Sequence, residues 1–397
     1  MSFHSLKLWL HLFKPLFMCT ALLLTGLAQA SIEITDIANR KVTLEQPAQR
    51  IILGEGRFLA ALGVLGVKQP LDRVAGMMND FKQFDPAGYQ VYQQAFPEID
   101  QIPTFGQTSE TSVSIEKILE LKPEVAVFGL DGHGPGAKSK QVIDVLTSVG
   151  IKIVFIDFRK KPIEHTARSI EILGQVLGYD QAAKAFSSAY QTKLGHIRDT
   201  LSDVPESAYP KVLLDIWAST KEPCCFTIAE GLFAEMARFA GGISIAEGQL
   251  PGPVGKISAE YALISNFDVY IGTSSGVQLS ATTSTSTHSS TRTGESYLSL
   301  IMGAQVPNDI AQASLKQVLS HRNFDRLAPI QNGRSYALWH HFYNSPLNLY
   351  AIESMAKWFH PELFKDLVPQ KTLDALLTGF SPVDLRGTYS SQLPISK

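Results

Sequence analysis

A short pattern that occurs twice constrains the fold of this chain of 397 residues more than any other feature. One copy is Ser114–Leu119 followed by Glu124–Gly129, and the other is Ser258–Leu263 followed by Asp268–Gly272. In both copies Ser, Glu and Leu have the same spacing, and an acidic residue ten positions after the Ser opens a short apolar run. A Ser hydroxyl can accept from the free N–H groups of a helix start, and the apolar run is too short for a helix. Each copy therefore predicts a capped helix followed by a buried strand.

The two copies start 144 residues apart, which predicts two similar lobes on one chain. Strands and helices alternate along the sequence, as in a mainly parallel sheet that is covered on both faces. The expected fold class is therefore α/β, with two lobes that are each a mainly parallel sheet flanked by helices. Small ligands bind in clefts between such lobes. We expect the halves to face each other across a gap, each with its own core.

The chain between the lobes reads as one long helix. Apolar residues follow helical spacing from Ala182 to Leu201, a length of roughly 30 Å at about 1.5 Å per residue. We expect a first lobe over residues 31–178, a linking helix over 179–204 and a second lobe over 205–379. Residues 79–105 are rich in aromatic residues and are expected to be irregular, and the tail 380–397 is expected to be loop. A stiff helix between the lobes predicts a small hinge motion.

The N-terminus resembles a targeting segment. Lys7 and Lys14 precede an apolar run over residues 16–27, and Ala28-Gln29-Ala30 is a small-x-small cleavage site. The run is too short to span a bilayer. We expect residues 1–30 to be a cleaved signal peptide and the mature protein to be periplasmic, with a retained N-terminal anchor as the alternative.

Charge excludes one class of partner. Removal of the signal peptide lowers the 35 Lys and Arg to 33, against 37 Asp and Glu. The mature chain is mildly acidic and has no basic stripe, so we expect no nucleic-acid partner. We expect the protein to be a monomer.

The mature chain keeps two adjacent cysteines, Cys224 and Cys225. Adjacent Cα atoms are about 3.8 Å apart across a trans peptide, below the usual disulfide range of about 4.4–6.8 Å. A bond between them would be strained and reducible, but export permits it. A vicinal disulfide and a pair of reduced thiols both stay open, whereas no second Cys pair supports structural zinc.

Two segments of the sequence resemble the periplasmic solute-binding proteins of iron–siderophore, haem and cobalamin ABC importers. They are SIEKILELKPEVAVFG at residues 114–129 and VLTSVGIKIVFID at residues 145–157. The resemblance spans about residues 49–345 and includes a Ser-x-Glu helix start in each predicted lobe. The second copy departs from the family pattern, because no Pro precedes Asp268, and the long Ser/Thr-rich stretch at 273–294 is not typical of the family.

The resemblance implies that one glutamate on each lobe docks onto arginines of a membrane permease. By motif position these are Glu116 and Glu260, and Glu260 rests on the less similar segment. Two carboxylates, one per lobe, can set the orientation of the complex by charge complementarity. The alternative is that each is an early-helix acid favoured by the helix dipole.

Ligand-binding candidates follow from the sheet geometry, because ligands bind beyond the carboxyl ends of parallel strands. Arginine donates paired hydrogen bonds to carboxylate-rich anions, imidazole can ligate a metal or contact a chelate, and aromatic rings can stack on a bulky ligand. The candidates near predicted strand ends are Arg57, Phe58, His133, Arg159, Trp217, Phe226, Arg292, Arg334, His340, His341 and Tyr343. For each of them a surface charge, a hydrogen-bonded loop residue or core packing is the structural alternative.

Together these features favour a binding protein that captures an iron(III)–siderophore-type chelate and delivers it to an ABC permease. No cofactor is expected beyond the transported chelate. The alternative is direct binding of zinc, manganese or iron by His133, His340, His341 and a carboxylate. The sequence has no H-E-x-x-H or C-x-x-C motif, and we do not expect an enzyme. Neither the identity of the chelate nor a role for residues 273–294 follows from the sequence.

Overall fold

The structure is a computed structural model that describes residues 31–221, 224–275, 299–380 and 382–395. The expected signal peptide, Arg292 and nearly all of the Ser/Thr-rich stretch 273–294 lie outside the described residues. Within the described part of the chain, no helix is both long and apolar enough to cross a membrane.

The first lobe begins with an antiparallel hairpin of β1 (Ile32–Thr35) and β2 (Lys41–Leu44). A parallel sheet follows in the spatial order β5-β4-β3-β6-β7. Its strands are β3 (Ile51–Leu53), β4 (Val74–Met78), β5 (Thr104–Gly106), β6 (Val125–Gly129) and β7 (Lys152–Ile156). The helices of this lobe are α1 (Leu59–Val64), α2 (Asp80–Phe84), α3 (Pro86–Ala95), α4 (Ile115–Leu121) and α5 (Lys140–Ser148). Single 3₁₀ turns lie at Gly56–Phe58, Pro97–Gln101 and Glu110–Ser112.

The segment 79–105 corrects the sequence analysis, because it is mostly helical rather than irregular. Asp85 caps α3 by accepting from the Gly88 N–H at 3.2 Å, and Pro86 occupies the first helical position, where its missing N–H costs nothing. Phe81 packs edge-on against Tyr89 and Tyr92 with ring centroids 5.5 and 5.4 Å apart. The aromatic side chains that suggested irregular chain therefore hold α2 and α3 together.

Two consecutive helices connect the lobes. They are α6 (Pro162–Leu177), which ends at Gly178 in the left-handed conformation, and α7 (Asp180–Thr200). The 21 residues of α7 span about 30 Å, in agreement with the helical spacing of its apolar residues.

The second lobe is built on a sheet in the spatial order β10-β8-β12-β14-β16, in which only the β14–β16 pair is antiparallel. Small antiparallel pairs β9–β11 and β13–β15 flank it. The strands are β8 (Lys211–Ile216), β9 (Phe226–Ile228), β10 (Ile243–Ser244), β11 (Val254–Lys256), β12 (Val269–Ser274), β13 (Gly303–Ala304), β14 (Ser335–Trp339), β15 (Gly387–Thr388) and β16 (Ser390–Gln392). The helices are α8 (Leu232–Phe239), α9 (Ala259–Ile264), α10 (Asn308–His321), α11 (Ala328–Gln331), α12 (Asn348–Phe359) and α13 (Pro369–Leu377). Single 3₁₀ turns lie at Glu206–Ala208, His340–Asn344 and Thr378–Phe380.

The tail after Phe380 is a second correction, because it is not simply loop. Strand β16 completes the second sheet by pairing with β14, with Ala337 opposite Ser391. The residues of β16 are short and polar and have a low strand propensity. The expectation of loop was therefore wrong, because this strand forms through its tertiary pairing.

The repeated sequence pattern forms the predicted helix and strand in both lobes. Ser114 caps α4 by accepting from the Lys117 N–H at 3.2 Å, and Ser258 caps α9 by accepting from the Tyr261 N–H at 3.1 Å. The strands that follow, β6 and β12, lie inside their sheets. Four neighbouring parallel strands correspond between the two sheets, because β4-β3-β6-β7 in the first lobe has the same order as β10-β8-β12-β14 in the second, while β5 and β16 extend opposite edges. The two-lobed α/β fold class is therefore confirmed.

The core differs from the expectation of two cores across a gap. One continuous cluster of buried apolar side chains runs from the first sheet through α6 and α7 into the second lobe, and a smaller cluster lies on the other face of the first sheet. Ala183, Tyr190 and Leu194 of α7 belong to the continuous cluster. The linking helices pack on both lobes, so the lobes share apolar packing instead of standing apart.

Candidate functional site

Loops from the two lobes meet where the sequence analysis placed the binding residues. The first lobe contributes the segments after β3, β4, β6 and β7, and the second contributes the residues after β8 and β14. These are the carboxyl ends of parallel strands, which lie at one edge of each sheet. The residues that the structure joins there are Glu55, Arg57, Asp80, His133, Arg159, Trp217, His340, His341, Tyr343 and Asn344.

Arg57 is the centre of this contact and is only 5% exposed. Its Nη2 donates to Glu55 Oε2 at 2.7 Å and its Nε donates to Asp80 Oδ2 at 2.8 Å. Both acids are fully buried and belong to the same lobe. Burial raises the pKa of Asp80 to about 6, and Arg57 limits that rise by stabilising the carboxylate. The guanidinium therefore binds protein carboxylates, which favours a structural role for Arg57 over direct ligand binding.

The second lobe completes the contact around Arg57. Its Nη1 donates to the Tyr343 hydroxyl at 2.8 Å and to His341 Nδ1 at 3.1 Å. Asn344 Nδ2 donates to Glu55 Oε2 at 2.7 Å. The lobes are therefore joined here by buried polar bonds in addition to apolar packing.

Hydrogen-bond partners determine the protonation of two histidines. His341 accepts from Arg57 at Nδ1, so its proton sits on Nε2, which donates to the Phe84 carbonyl at 2.9 Å. His133 donates from Nδ1 to the Thr108 carbonyl at 3.2 Å, so its Nε2 accepts from the Tyr343 hydroxyl at 3.3 Å. Burial lowers the pKa of His133 to about 4, and burial followed by the charge of Arg57 lowers the pKa of His341 well below its usual value. Both rings are neutral at pH 7.

Arg159 differs from Arg57 because it keeps donor capacity. It follows β7 in a loop held by Asp157, whose Oδ1 accepts from the backbone N–H groups of Arg159 and Lys160 at 2.9 and 2.8 Å. Its guanidinium carbon lies 5.0 Å from the centre of the Tyr343 ring. Its Nη1 is buried and has no hydrogen-bond partner among the described residues. A buried donor without a partner is costly, so this nitrogen suits an anionic ligand oxygen.

Trp217, the residue that follows β8, combines two rare properties. Its φ is +55°, a left-handed conformation that bulky residues seldom adopt, and its side chain is 40% exposed. The ring lies 4.0 Å from the His340 ring and 6.0 Å from the His341 ring, measured between centroids. The His340 ring in turn lies 4.8 Å from the Tyr343 ring. We call the continuous row Arg159, Tyr343, His340 and Trp217 the cleft row.

His340 lies inside the cleft row and is 5% exposed. Its Nδ1 and the Thr273 hydroxyl are 2.8 Å apart. Burial lowers the pKa of His340 well below its usual value. His340 therefore contributes a neutral ring to the row.

Other candidates lie elsewhere. Phe58 is 1% exposed and packs edge-on against Phe158 with ring centroids 6.1 Å apart, so it belongs to the core. Phe226 begins strand β9 and is partly buried against the core. Arg334 precedes β14, at the end of the strand opposite the cleft, and its Nη2 donates to the Trp358 carbonyl at 3.4 Å. Arg292 is outside the described residues.

The adjacent cysteines form a disulfide in the loop between β8 and β9. Cys225 is fully buried, and Arg322 Nη1 approaches its sulfur at 3.9 Å. Arg322 is itself ion-paired with buried Asp215 at the end of β8.

A bare metal site finds little support. Among residues 31–221, 224–275, 299–380 and 382–395, no group of three or more His, Cys, Asp or Glu side chains is placed to hold a metal ion. The nitrogens of His133 and His341 are engaged with protein partners.

The two docking candidates are both exposed. Glu116 and Glu260 are each the second residue of their helix, α4 and α9. Hydrogen bonds to its own backbone N–H and to Ser258 lower the pKa of Glu260, so it is charged at neutral pH.

Sequence reasoning did not single out Glu55, Asp80 or Asn344. Glu55 and Asn344 lie in segments that follow predicted strands. The position of an acid two residues before Arg57 was a signal that could have identified Glu55. Asp80 gave no such signal, because it lies in the segment that was expected to be irregular. A cavity of about 40 Å³ adjoins Arg57 and is lined by residues that include Asp85, Tyr92 and Tyr389.

Two α/β lobes that share the order of four strands, are connected by long helices and meet at their strand-end loops have the fold of a TroA-like periplasmic binding protein. The resemblance seen in the sequence is thus confirmed at the level of the fold. Several solved structures share this fold.

The TroA-like periplasmic binding protein FepB from Veillonella parvula is 23% identical, with a TM-score of 0.74 over 91% of this chain and 100% of its own. The molybdate periplasmic binding protein MolA from Haemophilus influenzae is 17% identical, with a TM-score of 0.62 over 89% and 99% of the two chains. A periplasmic haem-binding protein from Pseudomonas aeruginosa is 15% identical, with a TM-score of 0.52 over 88% and 99%. No protein-family model and no curated protein matches the sequence.

Proposed function

We propose that this chain is the periplasmic substrate-binding protein of an ABC importer and that it captures an iron(III)–siderophore-type chelate. It is not an enzyme in this proposal. The solved structures support a substrate-binding role in transport, and the ligands in the names of these proteins range from molybdate to haem. They therefore support the class of protein while leaving the ligand to be argued from the cleft.

The cleft row is the observation that carries the ligand proposal. Arg159 supplies a buried donor, and Trp217, His340 and Tyr343 supply ring faces and edges. Siderophore chelates combine anionic oxygens with bulky organic groups, and arginine with aromatic rings can bind both parts. The conformational strain at Trp217 is typical of residues held for a function.

The proposal includes a membrane permease as partner, contacted through Glu116 and Glu260. Each lobe presents one exposed carboxylate on a helix with the same cap, so the pair can register on two cationic sites of a partner. The periplasmic location follows from the same proposal and from the predicted signal peptide.

Binding is tested by titrating the purified mature protein with ferric catecholate, ferric hydroxamate and ferric citrate chelates, haem and cobalamin, with intrinsic tryptophan fluorescence as readout. We expect saturable quenching by one ferric chelate. R159A and W217A should each weaken its binding about 10- to 100-fold, because each removes a contact worth roughly 1–3 kcal/mol.

Matched controls separate the site from the fold. Arg326 is an exposed arginine and Leu363 is a 49% exposed apolar residue, so R326A and L363A should leave the affinity unchanged. A panel without saturable binding, or equal losses in the controls, would reject the chelate proposal. Stoichiometric binding of a free metal ion, abolished by a chelator, would favour the bare-metal alternative.

Docking is tested separately by transport or pull-down with the cognate permease. E116A and E260A should reduce complex formation while ligand affinity in solution stays the same, and the exposed acid Glu362 supplies the control variant E362A. Unchanged association in the double variant would contradict the docking role without touching the ligand proposal.

A further inference from the structure

One imidazole bridges two separate parts of the first lobe to the second lobe. His341, on the turn after β14, accepts from Arg57 at Nδ1 at 3.1 Å. Its Nε2 donates to the carbonyl of Phe84, at the end of α2, at 2.9 Å. The Ser275 hydroxyl, also from the second lobe, donates to the same carbonyl at 3.0 Å. The ring is 2% exposed, so water does not compete for these bonds.

This bridge requires a neutral ring. A proton on Nδ1 would remove the lone pair that accepts from Arg57 and would place an N–H facing a guanidinium nitrogen 3.1 Å away. Two cations would then share a buried site, in which the low dielectric strengthens their repulsion.

We propose that the contact from Arg57 through His341 to Phe84 is a proton-operated clamp between the lobes. Neutral His341 holds the lobes together, and protonated His341 releases them. The proposal concerns the protein alone and does not depend on the identity of a ligand.

The surroundings of His341 favour the neutral ring. Burial comes first, then the charge of Arg57, with a smaller contribution from His133 across the boundary, and only the Phe84 carbonyl acts in the opposite direction. His340 and Tyr343, from the same turn, are its other titratable neighbours.

Acidic groups nearby act mainly within one lobe. Glu55 and Asp80 are bound to Arg57, and Asp80 also accepts from the Gly56 N–H at 2.6 Å. Asp85 lines the adjoining cavity and accepts from Gly88 within its own helix. These contacts belong to the first lobe, so separation of the lobes does not break them. The bond from Asn344 Nδ2 to Glu55 crosses the boundary and breaks on separation.

The sign of the pH effect follows from linkage. His341 regains an ordinary pKa of about 6.5 when the lobes separate, whereas the closed form excludes the proton. The ratio of closed to open forms is therefore constant above about pH 7 and falls about tenfold per pH unit below 6.5. At pH 5 the contribution of His341 is about 30-fold.

Hydrogen exchange measures rare opening directly. The backbone N–H of Leu232 in the second lobe donates to the Arg159 carbonyl of the first lobe at 3.2 Å, so its protection reports on the interface. The Gly54 N–H donates to the Val127 carbonyl within the first lobe at 2.8 Å and serves as the internal reference. After correction for intrinsic rates, we expect the Leu232 protection factor to fall at least 30-fold from pH 7.5 to pH 5, with that of Gly54 unchanged.

Variants assign the effect to His341, because His133 also contacts the second lobe and adds to the response. H341N keeps an acceptor near the position of Nδ1 but takes up no proton, so its pH response should be about 30-fold smaller than in the wild type. Where H341N does not fold, H341Q replaces it, because the glutamine amide reaches the Nε2 position and can donate to Phe84. His360 donates to the Gly241 carbonyl within the second lobe, and H360Q should keep the wild-type response.

Two results would overturn the clamp. One is a Leu232 protection factor that is the same at both pH values in the wild type. The other is a variant at His341 that keeps the wild-type pH response to within about threefold.

Discussion

The two lobes share the order of four strands but differ in the chemistry that they present to each other. The first lobe supplies charged side chains, with Arg57 between Glu55 and Asp80. The second supplies rings, from Trp217 through His340 to Tyr343. The repeated pattern determines the helix caps and the inner strands of both lobes. The strand-end loops are not part of this pattern, so their residues can differ. A duplicated framework can carry an asymmetric site because the loops contribute little to the packing of either sheet.

One pair of positions shows the difference most directly. The residue after the first strand of the five-stranded sheet is Gly54 in one lobe and Trp217 in the other. A Cβ atom at Gly54 would lie 2.7 Å from the Phe128 ring, so that position accepts no side chain without rearrangement. Trp217 has open space and is 40% exposed. Equivalent positions therefore differ: packing excludes a side chain at Gly54 in the first lobe, whereas the second lobe exposes the ring of Trp217.

The largest expected effect comes from breaking the charged half of the site. R57M leaves Glu55 and Asp80 buried without their cation, which should lower the free energy of unfolding by about 3–5 kcal/mol. Urea unfolding at pH 7.5 measures the change, and R326M at an exposed arginine should change it by less than about 0.5 kcal/mol. A loss of unfolding free energy below about 1 kcal/mol for R57M would show that buried Glu55 and Asp80 do not depend on the charge of Arg57.

A second experiment concerns a charge that burial disfavours. Burial raises the pKa of Asp85 to about 6. Its pKa is therefore higher in the folded than in the unfolded chain, so the wild type gains stability as pH falls from about 6 to about 4. D85N, which retains a good helix cap, should stabilise the protein at pH 8 by about 2–3 kcal/mol and by almost nothing at pH 3.5. Urea unfolding at several pH values tests this, and equal differences at all pH values would contradict it.

A smaller effect should separate function from stability in the aromatic half. W217G removes the strain of a left-handed tryptophan, which should raise the free energy of unfolding by about 1 kcal/mol. The same change should abolish most of the binding of the ferric chelate identified in the titration. A destabilised W217G protein would mean that ring packing against His340 outweighs the backbone strain.

The smallest effect tests the likeness of the lobes. S114A and S258A each remove a helix-cap hydrogen bond of similar length, 3.2 and 3.1 Å. Each should cost about 0.5–1 kcal/mol, measured by thermal or urea unfolding. Costs that differ by more than about 1 kcal/mol would show that the repeated motif has different structural roles in the two lobes.

Much of the fold was predictable because it rests on local periodicity. The apolar spacing of α7, the Ser caps of α4 and α9 and the buried strands β6 and β12 are each encoded in a dozen or so neighbouring residues. The site was partly predictable for a related reason. Residues that follow parallel strands must share an edge, so residues after β3, β6, β7, β8 and β14 were grouped before any contact was known.

Other features depend on distant residues and left little local signal. Strand β16 exists because β14 offers an open edge, and α2 and α3 are held by rings that pack only when both helices are present. Arg57 pairs with Asp80, which lies 23 residues later in the segment that was expected to be irregular. The left-handed backbone at Trp217 contradicts the preference of its own residue type, so sequence alone argues against it.

The position of β16 has a consequence for how the chain acquires its structure. Its partner β14 ends at Trp339, yet the residues that cover that edge come about 50 positions later. A nascent chain that has emerged only as far as β14 carries an unpaired row of backbone groups, which can pair with another chain instead. Completion of the second sheet must therefore wait until residue 392 has been synthesised, and any truncation upstream of Ser390 should favour aggregation.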